Sequence, residues 1–329
     1  MVYSEIAMLS TFLTLTLLLI MLFSILLSVL SGWRLRSVSA LVMAAAVVWL
    51  YGCSGQSSDT QSTAKSEGPL YTQSVSTYLQ EGINLDALGF DAGKADAFLL
   101  TTEHSAVLID AGEKGFGKTI LTELETRGIK RLDYMIITHF DQDHVGGAAK
   151  VINNFPVEIV LQSNSPKDSE EYEKFVKALS SASIEPITVR EAMEFTLDGV
   201  SFYVDPPKKT NYLNDDSNNS SLIVTVKTGY GSILFLGDAQ TERLDEFLSW
   251  NTETYDVIKI PHHGKEESLI SDVLSEVQPQ FAVITSSWDE QEDESVLDAL
   301  DAANVQTFLT RNGEVTIICG NAGMEAAYR

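Results

Sequence analysis

Metal-binding side chains are concentrated at three places in the chain, each shortly after an apolar run. The first place lies between YMIIT and Gly146 and holds four such residues within six positions: His139, Asp141, Asp143 and His144. Asp238 follows the apolar run ILFL, and the pair His262 and His263 follows VIKIP. Four of the five histidines of the chain therefore fall in two of these places.

Imidazole nitrogens combined with carboxylate oxygens suit Zn²⁺, Mn²⁺ or Fe²⁺. The only cysteines are Cys53 and Cys319, so a closed structural zinc site with thiolate ligands is not expected. An aspartate after a strand is also a common helix cap, and Asp238 precedes a predicted helix at Thr241. Capping does not explain three apolar runs that each end in ligand-type residues, so the pattern predicts one metal site built from all three.

Alternating and continuous apolar runs predict the strands that would position these residues. FLLTTEHSAVLID is predicted to form a hairpin turning at 103–105, with His104 exposed in the turn. MIIT and EIVLQ are predicted as buried strands, and FTLDGVSFYVD and LIVTVKTGYGSILFLGD as two more hairpins. Helical periodicity is found at 118–126, 148–153, 169–181, 241–250, 269–277 and 296–303.

Early hairpins mixed with helices do not suit a doubly wound parallel sheet. They favour two sheets packed face to face, with helices covering the outer faces and functional loops along one edge. No repeat or second linker interrupts residues 83–320, which we interpret as one domain.

The motif HFDQDHVGG, the later run GDA and the run PHHG together resemble the metallo-β-lactamase superfamily, in particular the metallo-hydrolase domain at the end of ComEC-type competence proteins. The resemblance covers residues 83–318 and includes LDALGFDAGKADAFLL, VLIDAG and NNSSLIV. It implies an α/β (α+β) fold, the four-layer αββα sandwich of that superfamily. The combination of motifs is specific, whereas each single motif is weak.

The resemblance also implies a ligand role for each motif residue. His139 and Asp141 would bind a first metal ion. Asp143 and one histidine of the 262/263 pair would bind a second ion, with His144 also in the second set. Asp238 would bridge both ions.

Two further assignments concern the residues around this set. His263 aligns better than His262 with the single histidine of the wider superfamily, so we expect His263 to be the ligand. Asp110 would orient the motif loop from behind.

Two departures from the superfamily pattern affect the first ion. Asp141 stands where the wider superfamily has a histidine, as in ComEC-like members. No histidine lies between residues 144 and 262, so a ligand usually supplied from that region is missing, and Asn218 or Asn219 would stand in its place. The first ion would then be weakly held, and a single resting ion is consistent with the sequence.

The implied activity is metal-dependent hydrolysis with one or two Zn²⁺ or Mn²⁺ ions. Asp143 would accept the proton of the nucleophile, and hard oxygen ligands favour a phosphodiester or phosphomonoester substrate. Extracellular DNA is the leading candidate substrate. The ComEC channel itself is absent, because two apolar segments cannot form it.

The first 53 residues indicate export or membrane anchoring. Residues 6–30 contain no charge and are long enough to cross a bilayer, while 33–53, WRLRSVSALVMAAAVVWLYGC, has the order of a secretory signal. LYGC resembles a lipoprotein signal in which Cys53 is lipidated, although Tyr51 stands where a small residue is usual. The alternatives are two transmembrane helices, or a true start downstream of Met1. The anchored readings place the folded domain outside the cytoplasm, behind a polar tether at 54–80.

Three further features bear on function. The net charge of −24 argues against wrapping of nucleic acid by a basic face. The run GEKGFGKT at 112–119 satisfies the P-loop pattern, so a P-loop NTPase is one alternative, with a solvated Lys118 as the simpler interpretation. A non-catalytic binding domain that kept the fold is the other alternative.

Overall fold

A computed structural model of the chain describes Leu79, residues 82–213 and residues 217–329. The hydrophobic region 1–53 with Cys53 and, apart from Leu79, the tether at 54–80 lie outside the described residues. Among the residues that are described, no helix is both long and apolar enough to cross a membrane.

Short apolar or alternating runs form the strands of the described chain. In chain order these are β1 Ile83–Gly89, β2 Phe98–Thr101, β3 Ala106–Ile109, β4 Leu132–Ile137, β5 Val157–Gln162, β6 Ile187–Thr188, β7 Met193–Leu197, β8 Val200–Asp205, β9 Ile223–Lys227, β10 Ser232–Phe235, β11 Val257–Lys259, β12 Phe281–Ile284, β13 Gln306–Leu309, β14 Val315–Gly320 and β15 Gly323–Tyr328. The fully buried ones, such as β2 and β3, carry side chains covered on both faces of their sheet.

The helices lie between these strands. In chain order the α-helices of the described residues are α1 Gly117–Thr126, α2 Gln142–Val145, α3 Ala148–Ile152, α4 Glu170–Ala182, α5 Thr241–Trp250, α6 Ile270–Val277 and α7 Glu294–Ala302. In α4, Ser169 caps the helix by accepting a hydrogen bond from the N–H of Tyr172, and the first turn is acidic. In α1 the buried residues Gly117, Ile120 and Leu124 recur at helical spacing, so one face is apolar.

The strands form two mixed sheets. One has the order β15-β14-β1-β2-β3-β4-β5-β6 and the other β13-β12-β11-β10-β9-β8-β7. In the first sheet β3 to β6 are parallel to one another, and in the second β10 to β13 are parallel. Because parallel strands end at the same edge, the loops after β4, β10 and β11 are the natural places for a shared site.

Three apolar cores separate four layers. The first holds Leu124 and Phe175 of the helices against Leu99 and Met135 of the first sheet. The second lies between the sheets, where the rings of Phe98 and Phe235 have centroids 5.1 Å apart. In the third, residues of α5, α6 and α7 cover the outer face of the second sheet. The expected αββα sandwich is therefore confirmed.

The local predictions are confirmed with small shifts. All three hairpins form, and each predicted helix begins and ends within two residues of the observed bounds. His104 is exposed, with 49% of its side chain accessible. The sheet continues past residue 320, because β15 pairs with β14 as far as Tyr328. β3 is an arm of a hairpin with β2 and also begins a parallel β3-α1-β4 unit.

Candidate metal centre

Three strand ends bring the predicted ligands together between the two sheets. His139 follows β4, and Asp143 and His144 lie in the short helix α2 directly after it. Asp238 follows β10, and His263 follows β11, which is the parallel neighbour of β10. The predicted ligands thus converge for two reasons. The strands before them run parallel to neighbours in their sheets, and apolar residues of these strands are fixed in the cores.

The side chains of these residues meet within a few ångströms. Oδ2 of Asp238 lies 3.2 Å from Nε2 of His144 and 3.1 Å from Nε2 of His263. Nε2 of His263 is also 3.3 Å from Oδ2 of Asp143. The ring centroids of His139 and His144 are 4.1 Å apart. Asp143, His144 and His263 are thus linked to one another around Asp238, and His139 lies beside the ring of His144.

The three imidazoles expose the same nitrogen to this cluster. Nε2 of His139, His144 and His263 is buried and has no hydrogen-bond partner. Nδ1 of His144 is held by Asp110 at 2.8 Å, and Nδ1 of His263 by the hydroxyl and carbonyl of Thr285. A buried nitrogen without a partner is costly, and a ring anchored at Nδ1 is the usual arrangement of a metal-binding histidine. The residues present therefore fit a divalent ion bound through Nε2 atoms and carboxylate oxygens.

The charges of the cluster favour a bound cation. Burial disfavours a charged ring and lowers the pKa of His139. Burial opposes protonation of His144 and His263 too, but nearby carboxylates, Asp238 first, outweigh it and raise the pKa of both. Burial alone would raise the pKa of Asp238, yet the positive charges of His144, His263 and Lys259 hold it well below the usual range. The carboxylates thus attract either protons or a metal ion to the Nε2 atoms.

Asp110 holds the motif loop from behind, where its role was expected. One carboxylate oxygen accepts the backbone N–H of Thr138 at 2.8 Å, and the other accepts the Thr138 hydroxyl at 2.6 Å. The second oxygen also contacts His144, as described above. Asp110 has φ of +55°, a left-handed conformation that costs energy in a residue with a side chain.

Asp96 and Lys259 are two site residues that sequence reasoning missed. Asp96, His144, Asp238 and His263 each offer a ligand-type atom within 4.8 Å of the others. Asp96, however, faces the Nδ1 sides of the rings, 3.9 Å from His144 and 3.5 Å from His263, and accepts the Thr285 hydroxyl. It therefore supports the ligands rather than sharing their open side.

Lys259 makes buried ionic contacts with two carboxylates of the site, those of Asp96 and Asp238. Its ammonium contacts Asp96, lies 3.4 Å from Oδ1 of Asp238 and donates to the carbonyl of Gly237 at 2.9 Å. A lysine inside the apolar run VIKIP was the available signal, because a buried ammonium requires a paired carboxylate.

Asp141 has partners of its own. Its Oδ1 lies 3.9 Å from Nε2 of His139 and accepts a hydrogen bond from the ammonium of Lys167 at 2.5 Å. The hydroxyl of Ser217 donates to the same oxygen. Burial opposes its ionisation, but His139, Lys167 and Ser217 more than compensate and lower the pKa of Asp141.

His263 lies among the proposed ligands, whereas two other candidates, His262 and Asn219, contact different residues. Nε2 of His262 lies 3.3 Å from the amide nitrogen of Asn218, and its Nδ1 is 3.2 Å from Glu267. Asn219 is buried, and its Oδ1 accepts the backbone N–H of Arg243 in α5. Both histidines of PHHG have positive φ, about 50°, and this strained turn points their rings to different neighbours.

The run GEKGFGKT packs against the metal-binding loop. A Cβ on Gly117 would lie 2.5 Å from the carbonyl of Gly147, and one on Gly146 would lie 2.5 Å from the N of Lys114. Lys118 is exposed, as the simpler interpretation of the run expected. The glycines therefore allow two backbone segments to approach closely behind the site.

Comparisons with known proteins agree with this geometry. The family model described as the metallo-beta-lactamase superfamily matches residues 91–286. ComE operon protein 3 of Bacillus subtilis (strain 168) is 29% identical over 218 residues, covering 60% of this chain and 27% of that protein. Recombination protein 2 of Haemophilus influenzae is 28% identical over 202 residues, covering 60% of this chain and 23% of that protein. The chain thus spans about a quarter of the length of these curated relatives.

A solved structure, the metallo-beta-lactamase fold protein YhfI from Bacillus subtilis, aligns with a TM-score of 0.47 at 12% identity, covering 69% of this chain and 96% of that chain. The family match includes the motif loop, Asp238 and the PHHG turn, and it extends over more than half of the chain. The chain belongs to the metallo-beta-lactamase superfamily and resembles its ComEC-type members.

Proposed function

We propose that the protein is a metal-dependent hydrolase that cleaves phosphoesters, with a phosphodiester such as extracellular DNA as its substrate. The observation that carries this proposal is the set of three buried imidazole Nε2 atoms, without hydrogen-bond partners, around the carboxylate of Asp238. Such a set matches Zn²⁺ or Mn²⁺ in ligand type.

The proposed ligands are the metal-binding residues that the sequence predicted: His139, Asp141, Asp143, His144, Asp238 and His263. When bound, a divalent ion would activate water and neutralise charge on a phosphate oxygen. The protein's own contribution is to fix the ligands, with Asp110 and Thr285 holding two rings in the tautomer that leaves Nε2 bare. This rigidity lowers the cost of organising the site during reaction.

Asp143 is the side chain best placed to handle a proton. It contacts His263, yet 22% of its side chain remains accessible, whereas Asp238 is almost completely covered. Burial would raise its pKa, but the 3.3 Å contact of its Oδ2 with Nε2 of His263 and the charge of His144 lower the pKa strongly, so the group is ionised. An ionised, accessible carboxylate beside the ligands can accept a proton from the attacking water.

The choice of a phosphodiester rests on two arguments. Oxygen and nitrogen ligands favour an ion that also binds phosphate oxygens. Several relatives are named for competence or recombination, namely the B. subtilis and H. influenzae proteins and Competence protein ComA of Neisseria gonorrhoeae. Since the chain is strongly acidic overall, binding of a polyanion would depend on the local field of the ion rather than on the surface.

The test uses the full chain in detergent, loaded with Mn²⁺ or Zn²⁺, and measures cleavage of bis-p-nitrophenyl phosphate and single-stranded DNA. We expect both to be cleaved, and Asp143→Asn to lower the rate at least about 100-fold. His104→Ala is the matched control, because His104 is exposed in a turn away from the cluster. If the loaded chain leaves both substrates intact, a non-catalytic domain is the better description.

We also propose that the folded domain acts outside the cytoplasm, held to the cell membrane by a lipid on Cys53 or by the apolar segments before it. The order of charged, apolar and small residues at 33–53 supports this proposal. Metabolic labelling with a fatty-acid analogue tests it, since labelling that Cys53→Ala abolishes indicates a lipid. Unlabelled protein that remains in the membrane fraction would indicate transmembrane segments instead.

A further inference from the structure

Asp141 differs from the other proposed ligands in how its oxygens are used. Its Oδ1 is the carboxylate oxygen that lies 3.9 Å from Nε2 of His139. A first ion shared by His139 and Asp141 would therefore contact this oxygen. That same oxygen already receives the ammonium of Lys167 at 2.5 Å and the hydroxyl of Ser217. A carboxylate oxygen has two lone-pair directions, and two protein donors occupy both.

The donors come from loops at the edge where the ligands meet. Lys167 lies between β5 and α4, and Ser217 directly precedes the turn at Asn218–Ser220. The ammonium is also 3.3 Å from the Ser217 hydroxyl, so the three groups form one small network. This network stands in the region between residues 144 and 262, which supplies no histidine.

The other side of the centre has no such network. The ligand-type cluster of the described residues consists of Asp96, His144, Asp238 and His263, and it includes neither His139 nor Asp141. Asp143 joins it through His263 at 3.3 Å. On this side the ammonium of Lys259 lies near Oδ1 of Asp238, and Oδ2 faces the Nε2 atoms of His144 and His263. On the Asp141 side the ammonium of Lys167 lies on the same oxygen that faces His139.

We propose that Lys167 competes with a first metal ion for Oδ1 of Asp141, so that the resting centre binds a single divalent ion through Asp143, His144, Asp238 and His263. The ammonium neutralises Asp141, and about 38% of the lysine side chain is accessible, so it can also approach an anionic oxygen of a phosphoester. Binding of a second ion would require displacement of this ammonium and would be opposed by its charge at short range.

This inference rests on the proposed metal centre and is tested by counting ions. The full chain in detergent is dialysed against Zn²⁺, and bound metal per chain is measured by elemental analysis. We expect one tightly bound ion in the wild type. Lys167→Gln keeps a polar side chain, one bond shorter, and removes its charge, and we expect it to bind a second ion at least about tenfold more tightly than the wild type does.

A spectroscopic readout distinguishes the two states independently. The electron paramagnetic resonance spectrum with Mn²⁺ should show isolated ions in the wild type, and a spin-coupled pair in Lys167→Gln at two equivalents. Lys174→Gln is the matched control, because Lys174 is a comparably exposed lysine that pairs with Glu170 within α4. It should leave both the metal count and the spectrum unchanged.

A second variant covers the case in which Lys167→Gln folds poorly. Asp141→Asn should leave one ion per chain, whereas His263→Ala should lose it. Two tightly bound, coupled ions in the wild type would overturn the inference, as would loss of the resting ion in Asp141→Asn. Because these counts need no substrate, a chain that binds one ion and cleaves nothing would contradict the proposed function alone.

Discussion

Nδ1 of His144 lies 2.8 Å from Oδ2 of Asp110, and both side chains are almost completely buried. The carboxylate fixes the proton of this ring on Nδ1 and leaves Nε2 free to face Asp238. Asp110 is anchored in turn by two hydrogen bonds from Thr138, at the end of β4. The orientation of the His144 ring thus depends on Asp110, which contacts Nδ1 rather than the Nε2 side where an ion would bind.

Asp110→Asn should lower metal affinity about 10- to 100-fold while the chain remains folded. Asparagine tolerates the positive φ at this position, but its single acceptor oxygen cannot serve both the backbone N–H of Thr138 and Nδ1 of His144, which contact different oxygens of Asp110. Competition with a metal-sensitive dye measures the affinity. Asp301→Asn, an exposed carboxylate in the last turn of α7, is the control. Equal metal affinities of Asp110→Asn and Asp301→Asn would contradict the orienting role of Asp110.

Gly147→Ala should destabilise the fold by about 1–3 kcal/mol, the usual cost of overpacking. A Cβ there would lie 2.1 Å from the carbonyl oxygen of Ala111 and 2.8 Å from the N of Gly117, and neither backbone atom can move easily. Urea denaturation measures the loss. Gly199→Ala meets no atom within 4 Å, although its φ of +83° imposes strain, so it reports the conformational cost without a clash. We expect the Gly147 variant to bind metal less tightly as well, because the clash displaces the motif loop.

Lys259→Met should destabilise the metal-free chain by about 3–5 kcal/mol, because Asp96 and Asp238 lose their buried counter-charge. A bound divalent ion would offset part of this loss, so the difference from the wild type should shrink when metal is added. Denaturation with and without Zn²⁺ measures both values. Lys227→Met, which removes an exposed pair with Glu253, should cost less than about 1 kcal/mol. An identical loss with and without metal would argue against a link between Lys259 and the ion.

Asp198 should stabilise the fold only while it is ionised. Burial raises its pKa, but hydrogen bonds from the Thr102 hydroxyl at 2.6 Å and the backbone N–H of His104 at 2.9 Å lower it below the ordinary value of 3.8. The stabilisation is therefore fully present above the ordinary pKa of 3.8 and is lost as the pH falls through the lowered pKa of the folded protein. Asp198→Asn should cost about 0.5–1 kcal/mol at pH 7, since the site is exposed. Denaturation curves of the two proteins should converge as the pH falls through the lowered pKa of Asp198. A difference that stays constant with pH would contradict the charge dependence.

The parts of the site that local sequence could predict are those that directly follow apolar runs. Apolar strands that form the cores precede His139, Asp143, Asp238 and His263. The apolar pattern of these strands therefore predicted that the four residues lie along one edge. The two-sheet architecture was predictable for the same reason, because hairpins and helices have distinct periods. The pair β14 and β15 was not predicted, since the last strand has a mostly exposed, weakly apolar sequence, GMEAAY.

The supporting residues depend on distant partners and could not be predicted in the same way. Asp96 meets Thr285 across 189 positions of the chain, and no local pattern indicates that contact. Lys167 lies in the polar run SPKDS, where a lysine is ordinarily solvated, and only the folded chain brings it to Asp141. Lys259 is the exception, because a charge inside an apolar strand already requires a partner.

The position of β1 between β2 and β14 decides how the domain can be produced as a recombinant fragment. Cutting the chain at residue 286, where the family match ends, would remove β13, β14 and β15. The open edge of β1 would then offer unpaired backbone groups to other molecules, a known route to aggregation. Expression should therefore include the polypeptide from before Ile83 through Tyr328, well beyond the metal-binding motifs.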